Sequence, residues 1–172
     1  DHRDLHLSLR RQRQMCIRDR NYIAANTFST TLVDKSTDPN VDSGGADPHD
    51  SKVVRMFSEI ESDGYAVIRG PYLVSNNPLY LRSGEIVSFD YKVKAGRDAY
   101  DAFGYLVNSD TNEFITILNE TGASDSAETD WETKSVNISQ SGNYKFVFAS
   151  GSFDFSGGTL LGANLYLDNI EA

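Results

Sequence analysis

The clearest hydrophobic pattern in the chain is an alternation over residues 85–94. Apolar and polar residues take turns there, with Val87, Phe89, Tyr91 and Val93 alternating with Ser88, Asp90, Lys92 and Lys94. Period-2 alternation is typical of a β-strand with one face buried and one face in water. We therefore predict a strand over residues 85–94 whose four apolar side chains point into a core.

Segments of similar character recur along the chain and are separated by turn residues. They are residues 53–57, 65–69, 102–108, 113–119, 131–139, 144–149 and 164–171. No window shows the 3.6-residue period of an amphipathic helix. About eight strands at regular spacing predict an all-β fold, an antiparallel jelly-roll β-sandwich over residues 53–172, with the last strand paired inside a sheet.

The segment at residues 144–149 supplies a second set of predicted core residues. Tyr144, Phe146 and Phe148 occupy alternate positions and therefore share one face of the strand. Truncating a buried aromatic side chain to alanine costs about 3–5 kcal/mol. We expect a loss of this size for Phe146→Ala.

The first 52 residues do not show a clear alternation. Residues 1–20 hold six Arg, and residues 11–20 resemble translated sequencing-adapter sequence. We expect a non-native or disordered leader there; the alternative is a basic arm that binds an acidic partner. For residues 21–52 we predict a first strand followed by a flexible acidic loop that is rich in Asp, Gly and Pro.

Composition excludes several functional classes. The net charge of −9, despite a basic leader, predicts an acidic surface that repels phosphates, so we expect no nucleic-acid binding. No apolar window approaches the roughly 20 residues of a membrane span, so we expect no membrane insertion. The one cysteine, Cys16, lies in the leader, so the folded part cannot contain a disulfide framework.

The chain offers little for catalysis. His49 is the one histidine after the leader, and it lies in the acidic loop, so a Ser-His-Asp or Cys-His arrangement has no ordered base. A glycosidase requires two carboxylates across a cleft, and no spacing singles out such a pair. We predict a non-catalytic protein with no catalytic residues.

Calcium is the metal that the acidic loops favour. Ca²⁺ binds six to eight hard oxygens, which Asp side chains and backbone carbonyls in loops can supply. Asp98 and Asp101 form one candidate group before a strand, and Asp154 with Asp168 forms another where a loop and the closing strand could converge. The alternative is that these carboxylates are solvated or accept backbone N–H bonds.

Glycan binding requires an exposed aromatic platform with polar groups beside it. The aromatic candidates are Tyr72, Tyr80, Tyr100, Tyr105, Trp131 and Phe153. Aromatic residues in alternating strands are usually core. Tyr100 and Phe153 are flanked by turn residues, so we predict that these two are exposed and bind ligand.

Several motifs in the second half of the chain occur in the order seen in one kind of secreted module. They include Val87-Ser-Phe-Asp-Tyr91, Asp98-Ala-Tyr-Asp-Ala-Phe-Gly-Tyr-Leu106, Ile117-Leu-Asn-Glu-Thr-Gly122, Thr129-Asp-Trp131, Gly142-Asn-Tyr-Lys-Phe-Val-Phe148, Ser150-Gly-Ser-Phe-Asp154 and Gly162-Ala-Asn-Leu-Tyr-Leu-Asp-Asn-Ile170. From about residue 63 to 170 the chain resembles a jelly-roll module of calcium-rich adhesin-type proteins of marine bacteria and cyanobacteria, and of structural proteins of their phages. It is similar more broadly to jelly-roll carbohydrate-binding modules.

The resemblance implies a setting and one ligand. In carbohydrate-binding jelly rolls a structural calcium often lies beside the closing strand, which makes Asp168 a candidate ligand. The resemblance also implies an extracellular, cell-surface or virion location within a longer polypeptide. It supplies no catalytic residues.

Three functions remain open from the sequence. The leading one is a non-catalytic module for adhesion or recognition, with glycans or surface proteins as partners. The second is a carbohydrate-binding module attached to a glycoside hydrolase, which should display two coplanar aromatic rings on one face. The third is a glycoside-active enzyme, which would need an acidic cleft with a carboxylate pair.

Overall fold

The structure, a computed structural model, describes residues 21–22, 27–34, 52–59, 66–96, 98–123, 127–157 and 161–172. The predicted leader at residues 1–20 and most of the predicted acidic loop lie outside these ranges. The strands are β1 (Asn21–Tyr22), β2 (Thr27–Asp34), β3 (Lys52–Glu59), β4 (Ala66–Val74), β5 (Leu79–Leu81), β6 (Ile86–Ala95), β7 (Ala99–Asn108), β8 (Phe114–Gly122), β9 (Glu132–Asn137), β10 (Gly142–Phe153) and β11 (Gly162–Glu171).

The strands form two sheets that pack face to face. Sheet A has the order β1-β4-β10-β7-β8, with β5 also paired to β10, and sheet B has the order β2-β3-β11-β6-β9. All pairings are antiparallel except β1 with β4, and from β3 onward the chain repeatedly crosses between the sheets. The prediction of an all-β jelly-roll sandwich is therefore confirmed.

The described strands number more than the predicted eight. Asn21–Tyr22 and Thr27–Asp34 are paired to β4 and β3 respectively, so residues that precede the predicted sandwich also belong to its sheets. No helix among the described residues is long and apolar enough to cross a membrane.

The core lies where the inner faces of the two sheets meet. Val87, Phe89, Tyr91 and Val93 are all fully buried, as the alternation predicts. Directly beside β6, Leu165 pairs with Val93 and Leu167 with Tyr91 in the register of β11. Strand β11 lies between β3 and β6, which confirms that the closing strand is internal to a sheet.

One predicted core residue is less buried than expected. Tyr144 and Phe148 are 3% and 1% exposed, whereas Phe146 is only half-buried at the core boundary. Strand β10 pairs with β5 at residues 142–144 and with β4 at residues 147–153. Phe146 lies between these two stretches, beside the connection from β4 to β5. Fewer neighbouring groups cover the Phe146 ring, so Phe146→Ala should lower the free energy of unfolding by less than about 3–5 kcal/mol. A loss of that size is expected for Phe148→Ala instead.

A polar cluster closes the sandwich along the edge formed by β8 and β9. Lys134 Nζ lies 2.9 Å from a carboxylate oxygen of Glu120 and thereby bridges the two sheets. The Tyr91 hydroxyl donates a 2.8 Å hydrogen bond to Glu132. Burial, together with that hydrogen bond, raises the pKa of Tyr91 above its ordinary value, so the phenol keeps its proton and remains a donor.

Candidate functional site

The outer face of sheet A carries a row of aromatic side chains. Three lines of paired residues cross it: Tyr72–Ala149–Phe103, Val74–Val147–Tyr105, and Lys145–Val107–Phe114. Residues directly opposite each other in neighbouring strands point to the same side of a sheet. We call the surface formed by Tyr72, Tyr80, Phe103, Tyr105 and Phe114 the aromatic face.

This face exists because β7 is apolar on both of its sides. Tyr100, Ala102 and Leu106 point into the core, while Phe103, Tyr105 and Val107 point outward into a separate apolar cluster with Val147. Apolar side chains on the outer face of an antiparallel sheet are unusual, because that face is commonly solvated and polar. In this cluster Tyr105, Val107 and Val147 are 8%, 5% and 1% exposed, so the exposed part of the face is formed by its margins.

The rings of the aromatic face are ordered relative to one another. The rings of Phe103 and Tyr105 are parallel within 10°, with centroids 6.3 Å apart. Phe114 packs edge-on against Tyr105 at a centroid distance of 5.5 Å. The more exposed members lie at the margins, where Tyr72, Phe114 and Tyr80 are 38%, 36% and 57% exposed.

One end of the aromatic face is polar. Arg69 forms an ion pair with Asp101, and the two side chains are 12% and 11% exposed. Thr121 donates a 3.2 Å hydrogen bond to the other oxygen of Asp101. The Arg69 guanidinium also lies 4.7 Å from the centroid of the Phe103 ring, a cation–π arrangement that fixes the ring.

At the other end, the aromatic face adjoins a cavity of about 500 Å³ between the β7–β8 and β9–β10 connections. Its lining is mainly amide and aromatic and includes Asn108, Asn112, Glu113, Phe114, Gln140 and Tyr144. Phe114 belongs to both the cavity and the aromatic face. By the strand register, the side chain of Phe114 points outward, whereas those of Ile115 and Tyr144 point inward.

The predicted exposure of Tyr100 is wrong. Its side chain is 4% exposed and packs in the core, because β7 begins at Ala99 and places Tyr100 on the inward side. Phe153 is half-buried and pairs with Val67 and Ala99 beyond the Arg69–Asp101 end of the aromatic face. Among the other aromatic candidates, Tyr72, Tyr80 and Tyr105 belong to the aromatic face, and Trp131 packs against Tyr166 of sheet B.

The predicted calcium pair of Asp98 and Asp101 is not brought together. Asp101 is neutralised by Arg69 on the outer face of sheet A. Asp98 is fully buried, and its Oδ2 accepts hydrogen bonds from the backbone N–H groups of Phe155 and Ser156 at 2.9 and 3.4 Å. Asp98 therefore belongs with the loop that contains Asp154, whose own Oδ1 accepts a 2.8 Å bond from the N–H of Gly157.

Asp168 lies apart from that loop and beside Asp90, a carboxylate that is not among the predicted calcium ligands. The loop is held near Gly162, six residues earlier in β11, which corresponds to about 20 Å along a strand. Asp168 is directly opposite Asp90, and the two are 8% and 7% exposed. Asp90 accepts hydrogen bonds from Thr133 Oγ1 at 2.5 Å and Asn169 Nδ2 at 2.8 Å. Across the described ranges, no group of three or more His, Cys, Asp or Glu side chains is arranged to hold a metal ion.

No protein-family model matches the chain, and no curated protein sequence matches it. Among solved structures, it is similar to the K3 cleaved adhesin domain of Lys-gingipain from Porphyromonas gingivalis, at 18% identity and a TM-score of 0.41, over 80% of this chain and 90% of that one. It is also similar to the CBM22-1 xylan-binding domain of Xyn10C from Paenibacillus barcinonensis, at 12% identity and a TM-score of 0.39, over 85% and 86% of the two chains.

A third similar structure is CBM28, a non-crystalline cellulose specific carbohydrate-binding module, at 10% identity and a TM-score of 0.42. The match covers 73% of this chain and 77% of that chain. All three similarities are low in sequence identity. The function proposed below therefore rests on the geometry of the chain itself.

Proposed function

We propose that the protein is a non-catalytic module that binds glycans on the aromatic face of sheet A. The observation that carries the proposal is the set of exposed rings of Tyr72, Tyr80 and Phe114 on an outer sheet face. They surround the parallel rings of Phe103 and Tyr105, of which Tyr105 is only 8% exposed. Sugar rings present apolar C–H faces that pack on aromatic rings, while their hydroxyls need polar partners at the margins. Asn119 and Thr116, paired with Phe103 and Tyr105 in the register of β8, provide such partners.

The non-catalytic part of the proposal has support from the described residues. They include no histidine that could act as a general base and no cysteine that could act as a nucleophile. The two carboxylates that face the β8–β9 edge, Glu120 and Glu132, contact Lys134 and the Tyr91 hydroxyl respectively. We place the module outside the cell or on a virion, as part of a longer chain.

Glycan binding is tested by affinity electrophoresis in gels that contain xylan, mannan, mixed-linkage glucan or starch. The intact protein should be retarded by at least one of them. Tyr72→Ala should weaken that binding about tenfold, since the loss of an aromatic contact with the sugar should cost about 1.4 kcal/mol, which is tenfold in affinity. Phe155→Ala is the matched control, because this ring is 59% exposed but lies in the loop after β10.

The results separate the candidate functions. Equal retardation of Tyr72→Ala and intact protein would remove the aromatic face from glycan binding. Retardation by none of the four glycans would leave the aromatic face as a protein-recognition surface, since exposed apolar patches are also typical of protein interfaces. Release of soluble sugars from a retarding polysaccharide would overturn the non-catalytic assignment.

We also propose a structural Ca²⁺ on the outer face of sheet B, beside Asp168. The supporting observation is that Asp90 and Asp168 are directly opposite each other and largely buried. Like charges in directly opposed positions destabilise a sheet, and a divalent cation would offset their repulsion. With the side-chain oxygen of Asn169, they supply hard donors of the type that Ca²⁺ prefers.

Millimolar Ca²⁺ should raise the melting temperature relative to a chelator. At one hundred times the dissociation constant, the added stability is about 2.7 kcal/mol. Asp168→Asn should abolish the calcium-dependent shift and, in chelator, melt no lower than the intact protein, because it removes the like-charge repulsion. Asp154→Asn is the control for the separate loop cluster. A shift that survives in Asp168→Asn would exclude this position as the calcium site.

A further inference from the structure

One lysine lies on the outer face of sheet A among the residues of the aromatic face. Lys145 of β10 is directly opposite Val107 in the register with β7, and its neighbours in the strand, Tyr144 and Phe146, pack toward the core. Residues directly opposite each other in neighbouring strands share one side of a sheet. Because Val107 belongs to the outward-pointing apolar cluster, the Lys145 side chain also leaves the sheet on its outer face.

Exposed aromatic residues lie on both sides of Lys145. On β5, Tyr80 is 57% exposed and is paired with Asn143, which precedes Lys145 by two residues and lies on the same side of β10. On β8, Phe114 is 36% exposed and is paired with Val107. Neighbouring strands are about 4.8 Å apart. The ammonium group is therefore within reach of a charged substituent on a sugar that packs against Tyr80.

The positive charge of Lys145 is not neutralised within the part of the chain that the structure describes. No carboxylate there forms an ion pair with it. The two carboxylates of the β7–β8 connection accept hydrogen bonds from other groups, Asp110 from Asn143 at 3.1 Å and Glu113 from Thr111 at 3.3 Å. The outer face of sheet A therefore keeps a positive charge in a chain whose net charge is −9.

Two ordinary roles of a surface lysine do not account for Lys145. On an edge strand a lysine discourages pairing with another chain, but β10 lies between β7 on one side and β4 and β5 on the other. A lysine can also balance a neighbouring acid. The other charged residues that point outward from the described strands of sheet A, Arg69 and Asp101, already pair with each other. A half-buried ammonium group among aromatic residues is instead suited to an anionic group of a ligand.

We propose that the aromatic face prefers acidic glycans and that Lys145 binds their anionic group, which is the carboxylate of a uronic acid or a sulfate ester. The inference rests on the proposed glycan-binding function and adds the class of glycan. The exposed rings of Tyr80 and Phe114 can pack against the apolar faces of neutral and acidic sugars alike. The ammonium group adds an ion pair that a neutral sugar cannot form.

The experiment uses oligosaccharides of glucuronoxylan, polygalacturonate and alginate, each before and after chemical reduction of its carboxylates to neutral hydroxymethyl groups. Reduction removes the charge and keeps the sugar rings and their linkages. Oligosaccharides of carrageenan, with their desulfated forms as reference, supply the sulfate arm. Isothermal titration calorimetry should show that the intact protein binds at least one acidic oligosaccharide about fivefold more tightly than its neutral counterpart, the effect of one partly exposed ion pair.

Three variants assign this preference to one side chain. Lys145→Met removes the charge and keeps a long apolar side chain, so it should abolish the preference. Its affinity for the neutral form should be unchanged, which also shows that the variant is folded. Lys145→Arg keeps the positive charge and should keep the preference. Lys92→Met is the matched control, because Lys92 is also half-buried in a strand but lies on the outer face of sheet B, opposite Tyr166.

The outcomes distinguish this inference from the function on which it rests. Equal affinity of the intact protein for every acidic oligosaccharide and its neutral form would overturn acidic recognition and leave glycan binding on the aromatic face intact. A preference that persists in Lys145→Met, or an equal loss of affinity for both forms, would overturn the ion pair. A preference for carrageenan alone that Lys145→Met abolishes would identify sulfate as the anion. Absence of binding to all of these oligosaccharides and to the four polysaccharides named above would refute both proposals together.

Discussion

Replacing Phe148 by alanine should lower the free energy of unfolding by about 3–5 kcal/mol, the range measured for large buried aromatic residues. Its ring is 1% exposed and packs edge-on against Phe89, with centroids 5.2 Å apart, at the centre of the core between the sheets. Its neighbour Gly104 leaves room for this ring, because a Cβ there would lie 3.0 Å from two of the ring carbons. The substitution therefore removes packing from both sheets.

The loss is measured by urea denaturation of the intact protein and the variant. A typical domain is stable by only about 5–15 kcal/mol, so the expected change is a large fraction of the total. Phe155→Ala, which removes a ring that is 59% exposed, should change stability by no more than about 0.5 kcal/mol. A loss below about 1 kcal/mol for Phe148→Ala would contradict the packing of this core.

Asp101→Ala should lower the free energy of unfolding by about 3 kcal/mol or more. The Arg69 and Asp101 side chains are only 12% and 11% exposed, and removal of one partner leaves the other charge largely buried and uncompensated. The variant also loses the hydrogen bond from Thr121. Removal of both charges in Arg69→Met/Asp101→Ala should cost less than Asp101→Ala alone, because no charge is then left without its partner.

The double variant and the single variants form a thermodynamic cycle that isolates the coupling between the two charges. Arg82→Ala is a control for an ion pair in water: its side chain is 74% exposed and lies 3.4 Å from Glu85. An exposed pair contributes about 0–1 kcal/mol. If the coupling between Arg69 and Asp101 is as small as this, the ion pair does not hold the polar end of the aromatic face.

The sandwich could be predicted from local patterns because its inner faces alternate regularly. The four inward side chains of β6 and the closing strand β11 follow directly from period-2 spacing. The extent of β7 could not be predicted in the same way. Its first residues, Ala99, Tyr100 and Asp101, follow a glycine and an aspartate and resemble a turn. The sequence therefore predicts an exposed Tyr100, whereas this residue lies in the strand and faces inward.

The candidate site was harder to predict because it depends on which residues of distant strands become neighbours. A strand with apolar residues on both sides gives no alternation, so Phe103 and Tyr105 cannot be assigned to an outer face from the sequence of β7 alone. Their surroundings come from β4, β8 and β10 through the sheet register. The pairing of Asp90 with Asp168 likewise depends on register between β6 and β11, which no local pattern specifies.

The central place of β11 in sheet B has a consequence for how the chain folds. Among the strands that the structure describes, β2 and β3 are joined to β6 and β9 in sheet B only through β11. The Arg55–Asn164 hydrogen bond joins residues 109 positions apart. During synthesis on the ribosome, the edge of β3 that pairs with β11 therefore stays unpaired until residues 162–171 have left the exit tunnel. Contacts between such distant segments slow folding, and unpaired strand edges promote aggregation. Emergence of β11 from the exit tunnel is therefore the step after which sheet B can close.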